Sequence, residues 1–270
     1  MRIPSDTERH RGQRRERRSG RVVAPSGNAL RTLAVLFTTA LLGGCASALA
    51  AHTPDRATDL NGDGRTVVAC LGDSNTDPVF NGRLDGGGWC ERLAAGGGEN
   101  AEVHNFGAGG GTLACAFPFE VSLAAHQLDE ALAVNADAFV LAFITNDVRY
   151  AADGTCESLD PKRRAAGRPI GVAEIDREFS RRLRALVREA KDRHFWVLLA
   201  PPALSPEGDT INPEITALND LLRRRYASSR RVTIIEHPAL EAADYADPLH
   251  MSASGQQKRA AAVRAALFGR

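Results

Sequence analysis

The sequence predicts a doubly wound α/β domain, a flavodoxin-like three-layer sandwich with a five-stranded, mainly parallel sheet. Two observations lead to this fold class. From Thr66 onward, short apolar runs alternate with amphipathic stretches, which is the order of a chain built from βαβ units. The apolar runs are also almost continuously hydrophobic, as in parallel strands that are buried on both faces.

The apolar runs give five predicted strands, and the stretches between and after them give five predicted helices. The strands are Thr66–Leu71, Ala101–Asn105, Asp137–Ile144, Phe195–Ala200 and Arg231–Glu236. The helices are Gly88–Ala95, Glu120–Val134, Ile170–His194, Asn212–Ser228 and Ser252–Phe268. In the third helix, Ile175, Phe179 and Leu183 recur at helical spacing. Ser252 is expected to cap the last helix.

The N-terminal 44 residues are predicted to be an export signal. Nine arginines lie between Met1 and Arg31, and the uncharged run from Leu33 to Leu42 follows them; this order is typical of export signals. Leu42-Gly43-Gly44-Cys45 resembles the bacterial lipobox, so Cys45 is expected to carry a lipid that holds the protein at the bacterial cell envelope. The alternative is a soluble secreted protein that is cleaved after Ala48-Leu49-Ala50.

The remaining chain divides into a tether, residues 45–64, and one domain, residues 65–270. Residues 1–44 hold nine basic and three acidic side chains, which leaves 25 basic and 30 acidic side chains in the mature protein. A mildly acidic chain gives no electrostatic reason to expect a nucleic-acid partner. We expect a monomer.

Four cysteines besides Cys45 could form two disulfides in an oxidising compartment, with three connectivities. Cys115 and Cys156 fall in loops that follow two strands at the same sheet edge, so this pair is the favoured bridge. Cys70 lies in the most apolar strand, where a buried free thiol is an ordinary core residue. No Cys or His spacing indicates a metal site, and no metal is expected.

Two short motifs together predict a serine hydrolase. Ser74 directly follows the first predicted strand, and Asp247 precedes His250 by three residues in the loop before the last helix. Because ligands bind at the carboxyl ends of the strands in such a sheet, Ser74 is expected in the cleft. His250 would take the serine proton through one ring nitrogen while the other donates to Asp247.

These motifs resemble the four blocks of the SGNH (GDSL-type) hydrolase family. The blocks are Gly72-Asp73-Ser74, Asn105-Phe106-Gly107-Ala108-Gly109-Gly110, Ile144-Thr145-Asn146-Asp147 and Asp247-Pro248-Leu249-His250. Two positions depart from the pattern: Asn75 stands where many members have leucine or isoleucine, and Ile144 replaces the usual glycine. The resemblance implies catalysis by Ser74, Asp247 and His250.

The same resemblance implies an oxyanion hole formed by Ser74 N–H, Gly110 N–H and the Asn146 side chain. Gly109 and Gly111 remain alternatives to Gly110, because the register of a glycine-rich segment is poorly fixed by sequence. Asp73 is expected to be a structural hydrogen-bonding residue of the turn rather than a catalyst. No cofactor is implied.

Asp59-Leu60-Asn61-Gly62-Asp63-Gly64 matches the opening of an EF-hand-like calcium loop. The twelfth position would be Cys70 instead of glutamate, so a polar turn at the start of the domain is the preferred interpretation. Calcium bound by Asp59, Asn61 and Asp63 is the alternative.

The expected function is hydrolysis of small-molecule or glycan esters, with short acyl groups such as acetyl on carbohydrate as the leading substrate class. The resemblance also leaves open an acyltransferase, a lipid esterase or a thioesterase. The rival from another class is a non-catalytic glycan-binding module on the same fold.

Overall fold

In the computed structural model, the described residues are 56–96, 100–115, 123–156 and 170–269. The predicted export signal, Cys45 and the first part of the tether lie outside them. The later part of the predicted tether packs onto the domain: the Ala57 N–H donates to the Leu267 carbonyl at 2.9 Å, and the Leu60 N–H donates to the Asp137 carboxylate at 3.1 Å.

Five parallel strands form one sheet in the order β2-β1-β3-β4-β5, so the predicted fold class is confirmed. The strands are β1 (Thr66–Gly72), β2 (Ala101–Asn105), β3 (Ala138–Ala142), β4 (His194–Leu198) and β5 (Val232–Ile235). The order reverses beside β1, and such a switch point is where open α/β sheets bind ligands.

The helices cover both faces of the sheet. They are α1 (Pro78–Asn81), α2 (Trp89–Gly96), α3 (Leu123–Ala133), α4 (Ile144–Ala152), α5 (Val172–Glu189), α6 (Glu207–Tyr226) and α7 (Ala253–Phe268), with a 3-10 turn at Ala242–Asp244. Alternate β1 residues point to opposite faces: Val67 and Leu71 join the core under α3 to α6, and Val68 joins the core under α2 and α7.

Three predicted element boundaries are wrong for identifiable reasons. The third predicted strand includes Ile144, but this residue begins α4 after β3 ends at Ala142; its burial fits either element. The helix predicted to reach His194 ends at Glu189, and the chain reverses through Lys191 at φ 44° before β4. The α6 helix begins before the predicted Asn212 start, and Pro213 lies inside it.

Both disulfides of the described chain pair cysteines across elements. Cys115 is bonded to Cys156, which is the favoured pairing. Cys70 is bonded to Cys90, so the expectation of a free thiol at Cys70 is wrong. A strand pattern cannot distinguish these cases, because Cys70 is fully buried as a disulfide partner just as a core thiol would be.

The segment from Asp59 to Gly64 is a polar turn closed by its own hydrogen bonds. The Asp59 carboxylate accepts the N–H groups of Gly62 at 2.7 Å and Gly64 at 2.8 Å, and these bonds help to lower the pKa of Asp59. Within the described ranges, no group of three or more His, Cys, Asp or Glu side chains is arranged to hold a metal ion. None of the helices in those ranges is both long and apolar enough to cross a bilayer.

Candidate active site

Ser74 lies in a tight turn that Asp73 closes. The Asp73 carbonyl accepts the N–H groups of Thr76 and Asp77, both at 2.9 Å, and its carboxylate accepts the Asn75 N–H at 3.0 Å. The Asp73 side chain is buried and hydrogen-bonded within the turn. These contacts fit the structural role expected for Asp73, and they hold Ser74 at the carboxyl end of β1.

The structure brings Ser74, His250 and Asp247 together. Ser74 Oγ lies 2.9 Å from His250 Nε2, and His250 Nδ1 lies 2.8 Å from Asp247 Oδ2. With Nδ1 protonated and donating to the carboxylate, Nε2 is left as the acceptor of the Ser74 hydroxyl proton. The arrangement is that of a nucleophile, a base and a residue that orients the base.

Asp247 is positioned by its own loop. Burial raises the pKa of Asp247, but hydrogen bonds from the Leu249 N–H, the His250 ring and the His250 N–H outweigh burial and leave the pKa below its usual value. The two backbone N–H groups lie 2.9 and 2.8 Å from Asp247 Oδ1. The carboxylate is therefore ionised at neutral pH and can accept the proton on His250 Nδ1.

Among the three candidate oxyanion glycines, only Gly110 has an uncommitted N–H in the described structure. The Gly109 N–H donates to Asp77 Oδ2 at 2.8 Å, and the Gly111 N–H donates to the Ala108 carbonyl at 3.0 Å. Gly110 has a φ of 78°, which L side chains rarely adopt. The hydrogen bonds thus favour Gly110 among the three alternatives.

Two further donors belong to the other predicted oxyanion residues. The Ser74 N–H has no acceptor among the residues that the structure describes. Asn146, in the first turn of α4, is 7% exposed and its Nδ2 donates to the Gly111 carbonyl at 3.3 Å. An amide NH2 carries two hydrogens, so one of them is left for a ligand beside the glycine segment.

Asp147 holds the segment that follows the glycines. Its carboxylate accepts the N–H groups of Leu113, Ala114 and Cys115 at 3.1, 2.8 and 2.8 Å, and Asp147 is fully buried. Burial raises the pKa of Asp147 from 3.8 to about 7, although the three backbone hydrogen bonds act in the opposite direction.

Sequence reasoning did not single out two residues that touch the site. Phe80, in α1, packs on His250 with 4.3 Å between ring centroids, and no sequence signal marks it. Asp147 belongs to the third block, Ile144-Thr145-Asn146-Asp147, but that block does not indicate which backbone groups its carboxylate bonds. Both depend on contacts between segments that lie far apart in the chain.

One protein-family model matches most of the domain. The model of the GDSL-like Lipase/Acylhydrolase family matches residues 70–258. No curated protein sequence matches the chain.

Solved structures share the architecture at low sequence identity. A carbohydrate acetylesterase from Sinorhizobium meliloti is 20% identical with a TM-score of 0.56, over 76% of this chain and 100% of that one. An aryl esterase from M. smegmatis is 18% identical with a TM-score of 0.55, over 74% of this chain and 97% of that one. A carbohydrate esterase family 2 enzyme from Corynascus thermopiles is 18% identical with a TM-score of 0.51, over 76% of this chain and 67% of that one.

The raised pKa of Asp147 predicts a pH-dependent stability. Between 3.8 and about 7, the folded state binds more protons at this site than the unfolded state does, so the site's contribution to the free energy of unfolding falls as pH rises through this window. Asp147→Asn should remove this contribution to the pH dependence of the free energy of unfolding. Urea unfolding of both proteins at several pH values from 4 to 8 measures the difference, and parallel curves would contradict the prediction.

Proposed function

The chain belongs to the GDSL-like lipase/acylhydrolase family, and we propose that it hydrolyses carboxylic esters through a Ser-His-Asp mechanism with Ser74 as the nucleophile. Ester hydrolysis is the reaction of this family, so the protein is an esterase. The observation that carries the proposed mechanism is the 2.9 Å contact between Ser74 Oγ and His250 Nε2, with Asp247 on the opposite ring nitrogen.

In the first half-reaction, Ser74 Oγ attacks the carbonyl carbon of the ester while its proton passes to His250 Nε2. The carbonyl oxygen becomes an oxyanion, which accepts hydrogen bonds from Ser74 N–H, Gly110 N–H and the Asn146 amide. Asp247 stays ionised and stabilises the imidazolium. The tetrahedral intermediate then collapses: the bond to the leaving oxygen breaks, and His250 gives its proton to the departing alcohol.

In the second half-reaction, water replaces the alcohol. His250 takes a proton from the water, whose oxygen attacks the acyl carbon of the Ser74 ester. The same donors bind the second oxyanion. Collapse releases the carboxylic acid, and His250 returns the proton to Ser74 Oγ, which restores the enzyme.

We further propose short acyl esters, acetyl in particular, on carbohydrates as the substrate class. Two of the structural neighbours described above bear the names of carbohydrate esterases, which supports this choice. We also propose that the protein is exported and held at the cell envelope by a lipid on Cys45, because Leu42-Gly43-Gly44-Cys45 follows an apolar run and a basic segment.

Ser74→Ala tests the reaction. Hydrolysis of p-nitrophenyl acetate should fall by about 10³-fold or more in kcat, since the nucleophile is lost, and a fluorophosphonate probe should label the wild type at Ser74. Ser254→Ala is the control. The Ser254 hydroxyl donates to the Ala243 carbonyl and to Asp244 Oδ1, not to His250, so this variant should keep wild-type activity. Equal rates for wild type and Ser74→Ala, with no labelling, would refute the mechanism.

The proposed substrate class is tested by measuring kcat/KM for several classes of ester. The kcat/KM values for acetylated sugars should exceed those for long-chain acyl esters and thioesters. A clear preference for long acyl chains would contradict the proposed class while leaving the role of Ser74 intact.

Gly110→Ala tests the oxyanion assignment against Gly109→Ala. An alanine at the Gly110 φ of 78° is strained by about 1–2 kcal/mol, and relief of that strain moves the Gly110 N–H. We therefore expect kcat to fall by at least about tenfold. Gly109 has no such φ, and an added Cβ would lie 3.4 Å from Asp77 Oδ2, an ordinary contact. Gly109→Ala should stay near wild type, and equal losses in both variants would contradict the assignment.

Cys45→Ser tests the lipid anchor. Without the thiol, no lipid can be attached, so the protein should leave the membrane fraction of the producing bacterium, and the mass increment of the acyl groups should disappear from the mature chain. Unchanged membrane partitioning of Cys45→Ser would refute the anchor and favour the soluble secreted form.

A further inference from the structure

Asn75, the residue directly after the proposed nucleophile, uses every polar group it has. Its backbone N–H donates to Asp73 Oδ1 at 3.0 Å, and its carbonyl accepts Gln256 Nε2 at 3.1 Å. Its side-chain Nδ2 donates to the Leu249 carbonyl at 3.1 Å, and its Oδ1 accepts the Met251 N–H at 3.1 Å. Asn75 is 5% exposed, so these bonds form away from bulk water.

The two side-chain bonds of Asn75 fall on either side of His250. One is made to the residue before the imidazole and the other to the residue after it, across 174 and 176 residues of sequence. We propose that Asn75 is a positioning residue for the reaction: its amide clamps the His250 segment to the turn that carries Ser74, and so sets the separation of Ser74 Oγ and His250 Nε2. This inference rests on the proposed Ser-His-Asp mechanism.

A clamp is needed because the local contacts of His250 do not fix its distance from Ser74. Asp247 holds the imidazole from within the same loop, and the Leu204 N–H donates to the Pro248 carbonyl of that loop at 2.8 Å, but neither contact reaches the turn that carries Ser74. Phe80 packs against the ring, but an aromatic contact constrains position less sharply than two hydrogen bonds do. Asn75 ties the loop to the nucleophile turn on both sides of the base.

Gln256, in α7, bonds the backbone of the turn that carries Ser74 and Asn75. Its Nε2 donates to the Asn75 carbonyl and to Asn81 Oδ1, both at 3.1 Å, and its Oε1 accepts the Trp89 N–H at 3.1 Å. Asn81 in turn donates to the Ser74 carbonyl at 2.9 Å. The nucleophile turn is thereby fastened to α7, the helix that begins just after His250.

Asn75 is also the position at which the first block departs from the usual leucine or isoleucine of the family that it resembles. A leucine has no group that can bond the Leu249 carbonyl or the Met251 N–H. The clamp is therefore a property of this chain, encoded by one amide at a position where an apolar residue is common.

The test compares Asn75→Leu and Asn75→Ser with Asn219→Leu. Leucine removes both bonds, and serine is too short to span the two backbone groups. Asn219 is the matched control: it is a buried asparagine whose Nδ2 donates to the Ala200 carbonyl at 2.8 Å, and it bonds neither Ser74 nor the His250 segment. The Asn75 variants lose two buried hydrogen bonds and should melt below the wild type, whereas Asn219→Leu loses one and also removes the buried, unpartnered Asn219 Oδ1.

The expected result is a loss of kcat without a matching change in KM. For p-nitrophenyl acetate, kcat per active site should fall by about 10- to 100-fold in both Asn75 variants, because a displacement of about 1 Å costs that much, while KM stays within about threefold. Phosphonylation of Ser74 by the fluorophosphonate should slow by a similar factor, since it uses the same base. Asn219→Leu should keep the wild-type kcat.

The outcomes separate the clamp from the proposed function. If both Asn75 variants keep kcat within about twofold, or lose no more than Asn219→Leu does, the clamp is refuted. Ser74→Ala is assayed alongside: if it is as active as the wild type, the Ser-His-Asp mechanism itself falls. If Ser74→Ala is inactive while the Asn75 variants are normal, the mechanism stands and only the clamp is wrong.

Discussion

The candidate site depends on close backbone packing at the end of β1. At Gly72, an added Cβ would lie 2.2 Å from Thr76 Oγ1 and 2.9 Å from the Ala142 carbonyl. At Gly111, it would lie 2.7 Å from the Gly72 carbonyl. Side chains at these two positions would push the nucleophile turn, the glycine segment and the end of β3 apart. Because Cβ atoms are absent there, these three chain segments pack closely against one another at the end of β1.

The structure buries ionisable carboxyl groups to hold these segments. Burying an ionisable carboxyl group is costly unless it gains partners, and Asp147 gains three backbone N–H groups from Leu113 to Cys115. Burial raises the pKa of Asp73, while the charge of Arg259 acts in the opposite direction. In both cases the carboxyl group organises a turn that an apolar side chain of the same size would leave without a fixed shape.

The sequence predicts the contact between Asp247 and His250 better than it predicts the ends of helices and strands, because that contact is short in range. Asp247 and His250 pair within one turn of chain, so their spacing alone indicates the contact. The predicted start of α6 is too late, because Asn212-Pro213 resembles a helix N-terminus. In the structure these residues lie inside the helix, and the Asn212 side chain bonds both the N–H and the carbonyl of Ala203. Asn75 stands out in the sequence only as a departure from the first block, and its contacts could not be predicted because its partners lie across 174 residues or more.

The proposed mechanism requires two separate constraints on His250, and the structure supplies them from different parts of the chain. Asp247 controls how the imidazole is rotated and which nitrogen carries the proton, because it bonds Nδ1. It cannot control where the loop sits, because it belongs to that loop. Asn75 belongs to the nucleophile turn and bonds the backbone on both sides of His250, so it acts on the position of the loop and not on its proton. Loss of the first constraint changes which ring nitrogen of His250 carries the proton, and loss of the second changes the distance between His250 and Ser74.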